Sequence, residues 1–84
     1  MSVIKNINER IKAVREKLDL RQKVMAKSIG ISQGYWSDIE HGRRIPSDTV
    51  LIALANRWAI KLDWLMYGRG EMEVPPMVAE EKAV

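Results

Sequence analysis

Gln22 to Ile39, QKVMAKSIGISQGYWSDI, constrains this chain more than any other stretch, because its small, apolar and turn-forming residues fall where two short helices must cross around a tight bend. Such helices pack at a steep angle only where a small side chain sits at the crossing, and Ala26 takes that place in the first of them. Gly30 supplies the stop, since glycine adopts left-handed dihedrals without a Cβ clash. Ser32 then restarts the chain as a helix, its hydroxyl accepting from backbone N–H groups that have no partner in the first turn. Met25, Ile29, Ile31, Trp36 and Ile39 are the apolar positions, and at helical spacing they turn one face of each helix inward. Gln33, Gly34, Ser37, Asp38 and His41 are left on the outer face of the second.

Helical periodicity extends to both sides of this elbow. Ile4, Ile7, Ile11, Val14 and Leu18 alternate gaps of three and four, so they share one stripe of a helix whose other side carries Lys12, Glu16 and Lys17. Asn6 with Glu9 three residues on reads as a capping box, which sets the regular helix at about Ile7 to Leu18. After Pro46, Ser47 caps a fourth helix that buries Val50, Leu51, Leu54, Ala55 and Trp58, with Asp48 near its positive terminus. A fifth, about Leu62 to Tyr67, closes the core with Leu62, Leu65 and Trp64. No strand pattern is present. The expected fold is therefore all-α, a compact five-helix domain over residues 1–69. Pro75 and Pro76 deny helical hydrogen bonds, and Gly68 and Gly70 loosen the backbone, so residues 70–84 are expected to form a flexible acidic tail. Docking of its Val74, Met77 and Val78 on a partner is the alternative.

The order of small residue, glycine and bulky apolar residue in the elbow resembles the helix-turn-helix of the phage Cro and repressor family. Upstream, INERIKAVREKLDLRQ (Ile7 to Gln22) looks like that family's first helix and the entry to its second. Downstream, Ile39-Glu40-His41-Gly42-Arg43-Arg44-Ile45-Pro46-Ser47 is similar to its IE-x-G-x-R-x-P-S connector, and Leu62 to Gly68 to its final short helix. The four blocks run in the family's order over roughly residues 4–70. The resemblance implies a lambda-repressor-like DNA-binding domain with its helix-turn-helix at helices two and three.

Charge fits such a partner without proving it. Residues 1–69 carry thirteen Lys or Arg against seven Asp or Glu, a surplus of six, whereas residues 70–84 carry a deficit of three. A basic body favours a polyanion, because each phosphate neutralised by Lys or Arg releases counterions. Eighty-four residues support one small core. The longest apolar-leaning stretch, Thr49 to Ile60, includes Asn56 and Arg57 and falls short of the ~20 residues of a membrane span. With no signal-peptide pattern and no cysteine, a cytoplasmic location is expected, without disulfide or thiolate chemistry. His41 is the single histidine and no carboxylate cluster has metal-ligand spacing, so neither a metal, a cofactor nor an enzymatic activity is expected.

Within the resemblance, residues acquire roles one by one. Gln33 lies in the first turn of the recognition helix, where its amide can pair bidentately with adenine N6 and N7. Gly34 lets the backbone approach or simply softens the helix, and Ser37 and Asp38 lie one turn further along the same face. Two readings of Asp38 stand side by side: acceptor from cytosine N4, or partner for a neighbouring arginine. The family's glutamine at the position of Gln22 clamps a phosphate, and Arg21, standing where the family has a Thr or Ser cap, weakens the cap while adding charge. Ser32, Tyr35, His41, Arg43 and Arg44 complete the phosphate-contacting set. Tyr35 is equally open to plain packing, and Lys23, Lys27 and Arg10 are peripheral charges. Trp36 matches a core position. Arg15 and Glu40 match the family's arginine–glutamate pair, a structural bridge from helix one to the end of helix three. Trp64, Leu65 and Met66 fall where the family often dimerises. The resemblance thus implies a sequence-specific transcriptional regulator, most simply a repressor, that binds a palindromic operator on double-stranded DNA as a homodimer. The alternative is an antitoxin or interaction module that holds a partner protein through its C-terminal tail and also autoregulates.

Overall fold

A computed structural model describes residues 6–73, which form five helices. They are α1 (Ile7–Lys17), α2 (Gln22–Ser28), α3 (Gln33–Glu40), α4 (Asp48–Trp58) and α5 (Leu62–Tyr67). Ile4 of the predicted stripe, and Val74, Met77 and Val78, lie outside the described residues.

Local chemistry sets most of the boundaries. The backbone N–H of Glu9 donates to Asn6 Oδ1 at 2.9 Å, so the expected cap starts α1. The Ser32 and Ser47 hydroxyls accept from Tyr35 N at 3.1 Å and Val50 N at 3.3 Å, starting α3 and α4 in the same way. Arg21 precedes α2 without any side-chain cap bond. Between α2 and α3, Gly30 has φ +81°, and the N–H of Ile31 donates back to Ala26 O at 3.0 Å. That bond holds the turn in a left-handed conformation that glycine adopts without the strain a Cβ would bring, although the space around it is open.

The two elbow helices pack on each other with Ala26 buried in the crossing, and α1 lies across α3 and α5, while α4 packs on α5. Ile11, Val14, Met25, Trp36, Ile39, Leu54 and Leu65 are fully enclosed at the centre. Trp36 is the largest of them, so the back of α3 contributes the bulkiest single side chain to the core. Full enclosure of a side chain of this size is the kind of burial whose loss costs about 3–5 kcal/mol.

Several expectations need correction. Ala55 and Trp58 are only half-buried, and Leu62 is exposed, so part of the apolar surface of α4 and α5 stays outside the core. Leu65 carried two expectations, core and dimer interface; it has no exposed surface, so the core reading holds and the interface reading does not. The expected departure of the chain at residue 70 is also later within the described residues. Lys61 N donates to Met72 O at 2.8 Å, Ile60 and Glu73 form an isolated antiparallel bridge, and Met72 packs against the core.

Candidate nucleic-acid interface

The outer face of α3 begins with Gln33 and Gly34, both exposed. A Cβ added at Gly34 would meet nothing within 4 Å, so the front of this helix is open space. No hydrogen bond occupies the Gln33 amide among the described residues, leaving its donor and acceptor pair available. Directly behind, Trp36 and Ile39 are fully buried. The helix is therefore anchored on one side and bare on the other.

One turn on, Ser37 and Asp38 are half-buried by their neighbours. His41 Nδ1 lies 2.8 Å from Ser37 O and 3.3 Å from Ser37 Oγ. A carbonyl only accepts, so this contact places a proton on Nδ1 and leaves Nε2 outside it. Asp38 is engaged as well: Arg43 Nε donates to its Oδ1 at 2.9 Å, and Arg44 Nε stands 3.8 Å from Oδ2. Of the two readings of Asp38, the arginine partnership is the one made within the protein. The Arg44 guanidinium also lies over the Tyr35 ring, 5.4 Å from its centroid. Half-buried Tyr35 and Asp38 thus come together with exposed Arg43 and Arg44 as one cluster toward the C-terminal end of α3.

A second cluster lies behind that helix and fixes its position. Arg15 Nε donates to Glu40 Oε2 at 2.5 Å and Arg15 Nη2 to Oε1 at 3.1 Å, the expected pair in bidentate form. Gln22 Nε2 donates to Glu40 Oε1 at 3.0 Å, and the Trp36 indole N–H donates to Oε2. Burial opposes a charge on Glu40, but the bonds from Arg15, Gln22 and Trp36 together prevail and hold its carboxyl below the usual range. The bond to Glu40 raises Arg15 in turn, against a smaller opposing effect of burial. Gln22, expected at a phosphate, gives one amide N–H to this network and is half-buried.

The remaining expected residues divide clearly. Arg21, Lys23, Lys27, Ser32, His41, Arg43 and Arg44 are exposed around α2 and α3. Arg10 is not a peripheral charge: it is 6% exposed, and it donates from Nε to Leu65 O at 2.9 Å and from Nη2 to Met66 O at 3.0 Å. It satisfies carbonyls at the end of α5 that have no partner inside the helix. Its place three residues after Ile7 and four before Val14, on the apolar stripe itself, was the available signal. Asn8 was missed altogether. Its Nδ2 donates to Ile39 O at 2.7 Å and Arg44 O at 2.8 Å, tying α1 to the loop that carries the arginines. Trp64 and Met66 are half-buried, and Met66 lines a shallow depression with Asp48, Leu51, Ile52 and Leu62. Among the described residues no group of three or more His, Cys, Asp or Glu could hold a metal ion. No described helix is long and apolar enough to cross a membrane.

A buried-back, bare-front second helix on a glycine elbow, inside five helices, defines a helix-turn-helix domain of the phage Cro and repressor type. The chain belongs to the helix-turn-helix domain family whose model matches residues 8–71. It is 43% identical over 51 residues to the ImmF control region 10 kDa protein of Bacillus phage phi105, a match covering 61% of this chain and 57% of that protein. The chain thus spans little more than half the length of that curated relative. Among solved structures it is similar to the P22 c2 repressor in complex with a synthetic operator, with a TM-score of 0.70 and 32% identity over 77% of this chain and 98% of that one.

Proposed function

We propose that this chain is a sequence-specific double-stranded DNA-binding transcriptional regulator, a repressor that binds a palindromic operator as a homodimer. One observation carries the reading: Gln33 and Gly34 stand bare at the front of α3 while Trp36 and Ile39 lock its back into the core. An α-helix fits the major groove, and its first turn is where base edges are met. Gln33 takes the base-reading role, Gly34 allows close approach, and Ser37 and Asp38 extend the face. Arg21, Gln22, Ser32, Tyr35, His41, Arg43 and Arg44 flank that face and supply contacts to phosphate. The P22 c2 repressor, similar in fold and 32% identical, was solved on an operator, which supports the same partner for this chain.

Homodimerisation uses the edge between α4 and α5. Ile52 is 50% exposed, Leu62 37% and Tyr67 60%, beside the depression that Met66 helps to line. Trp64 and Met66 contribute their exposed parts; Leu65 does not. A regulator, not an enzyme, is the reading that both similar proteins support.

The test is binding of the purified chain to fluorescent duplex DNA over a salt series. Affinity that falls linearly in log–log form with salt, with a slope set by the number of phosphates neutralised, is expected. Absence of duplex binding at low salt overturns the proposal.

A further inference from the structure

Asp38 faces outward from the proposed reading helix, yet both of its oxygens lie toward arginines that the same interface needs for phosphate. The loop folds back on this residue through its backbone too. Arg43 N and Arg44 N donate to Asp38 O at 2.8 and 3.3 Å, and Asn8 holds the Arg44 carbonyl from the other side. What stays free to move is the pair of guanidinium groups, 59% and 63% exposed as side chains. Exposed ion pairs add little net stability, so exchanging one for another is cheap. Guanidinium also pairs with a carboxylate and a phosphate through the same hydrogen-bond geometry.

We propose that Asp38 is an internal phosphate surrogate that holds Arg43 and Arg44 in the free protein and yields them to the DNA backbone. This rests on the DNA-binding reading above. On an arbitrary duplex, release of the arginines leaves the Asp38 carboxylate unpaired among phosphates, and the repulsion cancels part of what the arginines gain. Where the groove presents a cytosine N4 amino group, the carboxylate has a donor and the penalty disappears. Asp38 therefore determines specificity twice, by lowering affinity for non-cognate DNA and by favouring cytosine at one position of each half-site.

The experiment compares wild type and Asp38→Asn on a random-sequence duplex over a salt series, and on sequences selected from random DNA. Asparagine keeps the shape and the backbone carbonyl while removing the charge. For D38N the account expects non-cognate affinity to rise by roughly three- to tenfold, the log–log salt slope to steepen by about one, and the cytosine preference to weaken, since the asparagine Oδ1 still accepts but carries no charge. In an Arg43→Gln/Arg44→Gln background the gain from D38N is expected to shrink, because no Asp38–arginine pair is left to break and only the direct repulsion between the carboxylate and phosphate remains to be relieved. A gain that persists undiminished in that background assigns Asp38 to simple repulsion and overturns the proposal, as does D38N behaving like wild type on both DNA samples. Failure of the wild type to bind any duplex removes the functional reading and this inference together. Binding by wild type with no D38N effect removes this inference alone. Asp38→Ser, read in the same assays beside matched thermal midpoints, separates loss of folding from loss of the carboxylate.

Discussion

Gln22, the first residue of α2, is joined to Glu40, the last residue of α3, by a hydrogen bond from Nε2 to Oε1 at 3.0 Å. Gly30 closes the elbow at the bend, and this bond closes it at the open ends. Because Arg15 of α1 donates to the same carboxylate, the angle of the recognition helix is set by one buried group serving three helices. Glu40 is 3% exposed as a side chain, so water competes little for it.

Stability should therefore fall in acid with the titration of Glu40. Its folded carboxyl lies below the ordinary 4.5, so its contribution is fully present above that value and is lost as pH drops through the folded one. Thermal unfolding followed from neutral pH downward should show wild type losing more of its midpoint below about pH 4.5 than Glu40→Gln does. Parallel acid limbs for the two proteins would contradict this.

An isolated buried ion pair is often replaceable by two apolar residues at little cost. Here Arg15→Met with Glu40→Leu strands the Trp36 indole N–H, which has no other acceptor within the network. The double variant should lose about 1–3 kcal/mol in denaturant unfolding, and adding Trp36→Phe should restore part of it. A double variant as stable as wild type would show that Trp36 does not depend on Glu40.

Asn8 faces two carbonyls with its two amide hydrogens. Asn8→Asp replaces a donor by an acceptor against both, so it should cost more than Asn8→Ala, by about 1–3 kcal/mol. Chemical unfolding of both variants measures the order directly. The reverse order would mean that the link from α1 to the arginine loop contributes little.

The two elbow glycines should respond oppositely to alanine. Gly30 has φ +81°, so Gly30→Ala should destabilise by about 1–2 kcal/mol. Gly34 is helical with open space around it, so Gly34→Ala should stabilise by up to about 1 kcal/mol. Thermal midpoints that move in the same direction would count against the backbone assignment at the bend.

Legibility in the sequence followed the range of the interaction. Asn6, Ser32, Ser47 and Gly30 act on backbone groups within a few residues, so the sequence alone marks their helix ends. Arg15 and Glu40 were legible through the family pattern, but the extra donors from Gln22 and Trp36 were not, since nothing local to either residue names its acceptor. Arg10 was misread because a basic residue on a helix suggests solvent, while its acceptors lie 55 and 56 residues along the chain. Leu65 carries both a core and an interface reading for a related reason: an apolar residue in a short terminal helix has the same appearance whether it faces its own core or a second copy, and burial decides for the core. Ala59, left-handed at φ +56°, has no sequence signature at all, because glycine is the residue that usually reports such a position.

Selection of bound sequences from random duplex DNA, run in parallel with wild type and Gln33→Ala, tests the central claim most directly. The account predicts that wild type enriches a twofold-related motif with half-sites about one helical turn apart. Gln33→Ala should keep that symmetry and spacing while losing an adenine preference at one position of each half-site. An unstructured pool from wild type, or identical motifs from the two proteins, would contradict it.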